Sequence, residues 1–134
     1  MTSFATVAGK AAAIYAALLV ILGFALTVFV VLRRRSAMVG LGDGGDKDLM
    51  RRIRVHGNFI EHMPSAFAVL ILLPLMGASA TLVHLVGLMI LIGRLLHAWG
   101  LAGSAGTSVG RLVGMLSTNF GLLIGAIAII TLSL

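Results

Sequence analysis

Apolar residues fall into four long runs along the chain, with polar or glycine-rich breaks between them. The first run, 11–32, has about the 20 residues that a helix needs to cross a bilayer. The second run, 57–76, is apolar but carries several polar side chains and two prolines, Pro64 and Pro74. The third, 81–99, and the fourth, 112–133, are again long enough to span. In lipid, a backbone hydrogen-bonded within its own segment is the economical way to cross, so each run is expected to be a helix. The pattern predicts an all-α membrane protein, a four-transmembrane-helix bundle forming one domain over 1–134.

The breaks have their own chemistry. The stretch 40–45 holds four glycines, which makes a helix there costly. Asp46 can then cap a helix starting near Lys47, and Asp48 in its first turn suits the positive end of the helix dipole. This helix should begin in water and enter the membrane near Gly57. Gly77, Ala78 and Ser79 form an uncharged tight turn. A Gly/Ser-rich loop is expected over 100–110. The first run is too long for a signal-peptide core. Arg33, Arg34 and Arg35 follow it without a small-residue cleavage pattern, so it reads as a retained span.

Charge adds orientation. Only 10% of the 134 residues are charged, against about 25% in soluble domains. The net charge of +6 could suggest nucleic acid. The apolar content argues against that, and membrane topology accounts for the charge better. Of the ten basic residues, nine lie at or near one membrane face: Arg33, Arg34, Arg35, Lys47, Arg51, Arg52, Arg54, Arg94 and Arg111. Only Lys10 lies at the other. Basic residues favour the cytoplasmic side, so both long loops are expected there and both termini opposite. The chain has no cysteine, hence no thiolate nucleophile of its own. Any sulfur chemistry must arrive with a small molecule.

Polar side chains at membrane depth usually face protein or a water-filled cavity. Arg51, Arg54, Asn58 and Glu61 are spaced i, i+3, i+7, i+10, which puts them within about 80° of one another on a helix. His62 and Ser65 lie close to that stripe, whereas Arg52 and His56 lie off it. Two cations, an amide and a carboxylate suit a zwitterion: arginine forks pair with carboxylates, and a glutamate can receive an ammonium. The same spacing would also suit a structural salt-bridge network between helices. Pro64 leaves the Ile60 carbonyl without its helical donor, which either opens backbone beside Glu61 or is simply a packing bend. Arg94 and His97 share a face of the third helix. Taken alone, Arg94 reads as snorkelling to the nearby face, Trp99 as an interfacial anchor and His84 as an interfacial histidine without chemistry. Arg111 reads either as a positive-inside anchor or as a cation held over a ligand. Gly110 with Gly114, and Gly121 with Gly125, permit close helix packing or oligomerisation.

The run Arg51-Arg52-Ile53-Arg54-Val55-His56-Gly57-Asn58-Phe59-Ile60-Glu61-His62-Met63-Pro64 resembles the signature of the MAPEG family, the membrane-associated proteins of eicosanoid and glutathione metabolism. There the second helix carries Arg-x-x-Arg-x-x-x-Asn-x-x-Glu, followed shortly by proline. The residues 42–45 and 54–58 are most similar to the bacterial inner-membrane branch, and 93–97 are similar to the third-helix motif of that branch and of the prostaglandin E synthase branch. The resemblance implies a homotrimer of four-helix protomers that binds glutathione between subunits near the cytoplasmic side. Carried over by position, Arg51, Arg54, Asn58 and Glu61 would hold glutathione, and Arg94 and His97 would line the site from the third helix. Arg111 is the nearest counterpart of the family arginine that stabilises the thiolate. The family tyrosine that follows the third-helix motif is replaced near Leu101, and Phe59 stands where several members have an acid.

The resemblance thus implies a transferase or peroxidase that uses glutathione as co-substrate against lipophilic electrophiles arriving through membrane lipid. A thiolate held near arginine has a lowered pKa and is the reactive form. Two alternatives stay open: a non-catalytic lipid- or thiol-binding scaffold of the same fold, and a small four-helix transporter. The latter would be expected to carry an acid in its first span, and this span has none.

Overall fold

A computed structural model describes residues 6–103 and 106–134. They form four α-helices: α1 (Val7–Ala37), α2 (Lys47–Leu75), α3 (Ala80–Gly103) and α4 (Val109–Ser133). All four are long and apolar enough to cross a membrane. Helices α1, α3 and α4 contain their expected spans and α2 stops one residue short of its own, with Met76 as its cap, while α1, α2 and α3 run past theirs by one or more turns at the basic end. The glycine-rich loop is shorter than 100–110, because α3 continues to Gly103 and α4 begins at Val109. Positions 104 and 105 of that loop lie outside the described residues. Helix α2 is capped as its sequence suggests: the Asp46 carboxylate accepts from the Leu49 amide at 2.7 Å. It then runs unbroken through Pro64 and Pro74.

Helix α3 is the hub of the bundle. It packs against α1, α2 and, most extensively, α4, while α1 and α4 do not meet among the described residues. Glycine makes the α3–α4 contact possible. A Cβ on Gly93 would strike the hydroxyl and amide of Thr118, and one on Gly114 would strike the backbone of Gly93 and His97. Gly121 lies against Met89 and Gly125 against Val69. The small-residue pairs of α4 therefore pack within the protomer, where backbones approach closely enough for dispersion to hold helices together in lipid. The core is aliphatic, with Leu19, Leu70, Leu73, Val83, Val86 and Ile90 fully buried. Outward positions such as Ile21, Phe24, Leu85 and Ile127 are equally apolar and suit acyl chains.

At the end of the bundle away from the arginines, Tyr15 is buried between α1 and α3. Its hydroxyl lies 2.9 Å from His84 Nδ1, and the rings meet edge to face at 5.7 Å. Gly87 leaves the space that the Tyr15 ring fills. His84 is thus a structural partner rather than a lone interfacial histidine. Tyr15→Phe should lower stability by about 0.5–1 kcal/mol, the scale of one hydrogen bond at membrane depth. Thermal unfolding in detergent reads this directly. An unchanged midpoint would mean that the ring contact alone carries the junction.

Candidate functional site

The basic end of the bundle is organised by three of the chain's four acids. Asp46 pairs with Arg33 at 2.6 Å. Asp48 reaches Arg33 at 3.3 Å, Arg52 at 3.1 Å and Arg51 at 3.8 Å. The hydrogen bond from Arg33, with that from the Leu49 amide, holds the Asp46 carboxyl below its usual range. The cap therefore stays ionised at neutral pH, and its contribution fades only as pH falls through that lowered value. Arg52 turns toward α1, donates to the Phe29 carbonyl at 3.0 Å and lies 4.0 Å over the Phe29 ring. Asp43 closes its own turn by accepting from Gly45. These contacts lock α2 onto α1 and use up the local carboxylates.

With α2 so held, its arginine stripe meets α3 and α4. Arg51, Arg54 and Asn58 of α2, His97 of α3 and Arg111 of α4 line one cavity of about 220 Å³. Met50 and Leu101 complete its walls. No acid lines it. Arg54 makes no ion pair or side-chain hydrogen bond among the described residues, and Arg51 has only the long contact to Asp48. The Arg51 Nε is buried without a partner. Arg111 donates to the Gly106 carbonyl at 2.6 Å, which fixes its guanidinium at the mouth. Three guanidiniums around a cavity without an acid form a site for an anion, and arginine's fork suits carboxylates in particular.

Behind this cavity lies a second layer. Arg94 is 1% exposed, so it does not snorkel. The reason is packing: α3 is covered on three sides, and Arg94 points into the seam between α2 and α4. Its Nε donates to Thr118 Oγ1 and its Nη1 to Asn58 Oδ1, both at 2.9 Å. The Thr118 hydroxyl in turn donates to the Gly114 carbonyl at 2.9 Å. His62 Nδ1 closes the cluster, 2.9 Å from the Asn58 carbonyl and 3.3 Å from Arg94 Nη1. Arginine has no acceptor, so the Asn58 atom facing it must be the oxygen. The Asn58 NH2 is then left for whatever enters the cavity.

Five of the seven residues picked out from the sequence thus share one cavity: Arg51, Arg54, Asn58, His97 and Arg111. Arg94 is not in its lining and reaches it only through Asn58. Glu61 lies outside it, exposed on α2 one turn beyond Asn58, and forms no ion pair among the described residues. Neither Glu61 nor Arg54 enters an ion pair among the described residues, so the alternative of a salt-bridge network between helices through them is not formed within the protomer. Sequence reasoning missed Thr118, which is fully buried against Arg94. Its one signal was its spacing of four from Gly114 on a helix otherwise rich in apolar residues.

Fold and site together define a four-span, all-α integral membrane protein with an arginine-lined cavity at one end. Residues 12–131 match the MAPEG family, and the chain belongs to that family. It is similar to the inner membrane protein YecN of Escherichia coli K12, 38% identical over 88 residues, covering 66% of this chain and 67% of that one. The YecN protein of E. coli O6:H1 matches to the same extent. No solved structure matches.

Proposed function

We propose that this protein is a glutathione-dependent transferase or peroxidase of the bacterial inner membrane, acting on lipophilic electrophiles. The observation that carries the reading is the cavity in which Arg51, Arg54 and Arg111 converge with Asn58 and His97 and no acid. Glutathione has two carboxylates, one ammonium and a thiol. Arg51 and Arg54 suit the carboxylates as bidentate partners. The Asn58 NH2 suits a peptide carbonyl. Arg111, from a different helix, would stand by the sulfur and favour the thiolate, the nucleophilic form. The protein would contribute proximity and electrostatics, with no covalent nucleophile of its own. The thiolate then attacks an electrophile that enters sideways from the lipid.

Glu61 bears on assembly. A bare carboxylate on the outer face of a spanning helix is costly in lipid, so such groups face protein or water. In a homotrimer a neighbouring subunit would cover it, and Glu61 would stand ready for the glutathione ammonium at the subunit boundary. Native mass spectrometry in mild detergent should show three copies of the chain. A monomer retaining full glutathione affinity would overturn the intersubunit site.

The direct test is equilibrium binding of labelled glutathione to the purified protein, followed by turnover of a chromogenic electrophile with glutathione. Saturable binding and turnover are expected. Binding without turnover on a broad panel would leave a thiol-binding scaffold. No binding to folded protein would remove the proposal.

A further inference from the structure

A further cavity, of about 500 Å³, stands apart from the one described above. It lies where α1 leaves the membrane and is lined by Val31, Arg34, Arg35, Met38, Val39 and Gly40. We propose that it is a binding site for an anionic phospholipid, the phosphate held by Arg34 and Arg35 and the upper acyl chain laid along Val31 and Met38.

Three neighbouring arginines here have three different fates. Arg33 is neutralised by Asp46 and Asp48. Arg34 uses Nη1 alone, toward the carbonyls of Gly42 at 2.7 Å and Val39 at 3.5 Å. That fixes its guanidinium against the loop while Nε and Nη2 keep their donors for another acceptor. Arg35 makes no ion pair or side-chain hydrogen bond among the described residues and is exposed. No acid lines the cavity. Two guanidiniums, one already oriented, thus face it without a counter-charge.

The apolar part places the ligand in the membrane rather than in water. Met38 is 91% exposed and Leu41 is 92% exposed, just past the end of the first span. No described residue covers them. Met38 also sits in the left-handed region at φ 55°, capping α1. Glycine holds that cap position at no steric cost, whereas another residue is strained there by roughly 1–2 kcal/mol. The strained cap projects an uncovered thioether side chain beside two arginines that have no counter-ion among the described residues. The amides of Met38 and Val39 bond the Arg34 and Arg35 carbonyls, so these oxygens are capped rather than turned on the anion. A phosphate diester on apolar tails satisfies both halves of this surface. A soluble anion satisfies only one.

The proposal does not depend on glutathione binding, and neither residue pair belongs to the other cavity. The test uses the full chain in mild detergent, with native mass spectrometry of bound phosphatidylglycerol and phosphatidylcholine at matched concentrations. Wild type should prefer phosphatidylglycerol by at least about tenfold, each interfacial arginine contributing about fivefold. R34Q/R35Q should bind the two lipids alike. Met38→Gln should weaken binding of both lipids several-fold and leave the preference in place, because the acyl chain loses a contact that the two lipids share. Should R34Q/R35Q fail to fold through loss of the loop contacts, Arg35→Gln, whose side chain makes no hydrogen bond or ion pair among the described residues, decides with an expected loss of about fivefold. Four results would overturn the site. They are equal binding by wild type, an undiminished preference in the arginine variants, phosphatidylglycerol affinity untouched by Met38→Gln, and equal competition by glycerol 3-phosphate. The third would reduce the cavity to a diffuse basic patch, and the fourth would make it a site for soluble phosphate.

Discussion

Arg54→Ala is expected to weaken glutathione binding about thirtyfold, equivalent to about 2 kcal/mol, the scale of one charge-assisted contact. Arg54 is the cleanest probe in the cavity because the fold makes no use of it. It has no ion pair among the described residues, it is exposed, and its removal creates no void. Stability should stay within about 0.5 kcal/mol of wild type, as for surface positions without special contacts. Arg51 is less clean, since it also touches Asp48 and has a buried Nε. Arg54→Lys should fall between alanine and wild type, because an ammonium keeps the charge and loses the two-pronged geometry. Equilibrium binding of labelled glutathione, with thermal unfolding as a folding control, separates these variants. Unchanged affinity in Arg54→Ala would mean the anion sits elsewhere, and the cavity would lose its assignment.

The parts of the fold legible in the sequence are those set by local rules. Four apolar runs, an aspartate before Lys47 and four glycines between Gly40 and Gly45 each act within a few residues, and each element forms where those signals stand. The arginine stripe on α2 was equally legible, because helical spacing alone puts Arg51, Arg54 and Asn58 on one face. What spacing could not supply was the partner for that face. His97 and Arg111 join it through the packing of α3 and α4, and that packing depends on glycines whose role shows only once backbones are in contact. Tyr15 and His84 are 69 positions apart and meet for the same reason. Arg94 is the most instructive case. It shares a helix face with His97, so spacing made them neighbours. Spacing says nothing of depth, and a few ångströms decide between lining a cavity and standing behind its wall.

That position makes Arg94→Met the variant with the most diagnostic pairing of effects. The guanidinium is buried against Thr118, Asn58 and His62, with no carboxylate paired to it among the described residues. A cation deep in a spanning helix costs roughly 2.5–3.5 kcal/mol on insertion scales. Removing it relieves that cost and loses two charge-assisted hydrogen bonds, each worth roughly 1.5–3 kcal/mol. Neither acceptor is then stranded in apolar surroundings. Thr118 keeps its bond to Gly114, and Asn58 borders the cavity, where water can reach it. Methionine fills most of the space. The opposing changes are of similar size, so the unfolding midpoint should barely move. Arg94→Ala leaves a void instead and should destabilise by roughly 2–5 kcal/mol. Binding should respond differently. Without Arg94, nothing forces the Asn58 oxygen inward, and the amide is free to turn its acceptor toward an anion. Glutathione affinity in Arg94→Met should therefore fall about tenfold, the scale of a misplaced hydrogen-bond donor. In an Asn58→Ala background the same change should have little further effect, because coupled residues do not add. Full additivity would show that Arg94 acts on the ligand by itself. Wild-type affinity in the folded methionine variant would show that the orientation of Asn58 is irrelevant to binding.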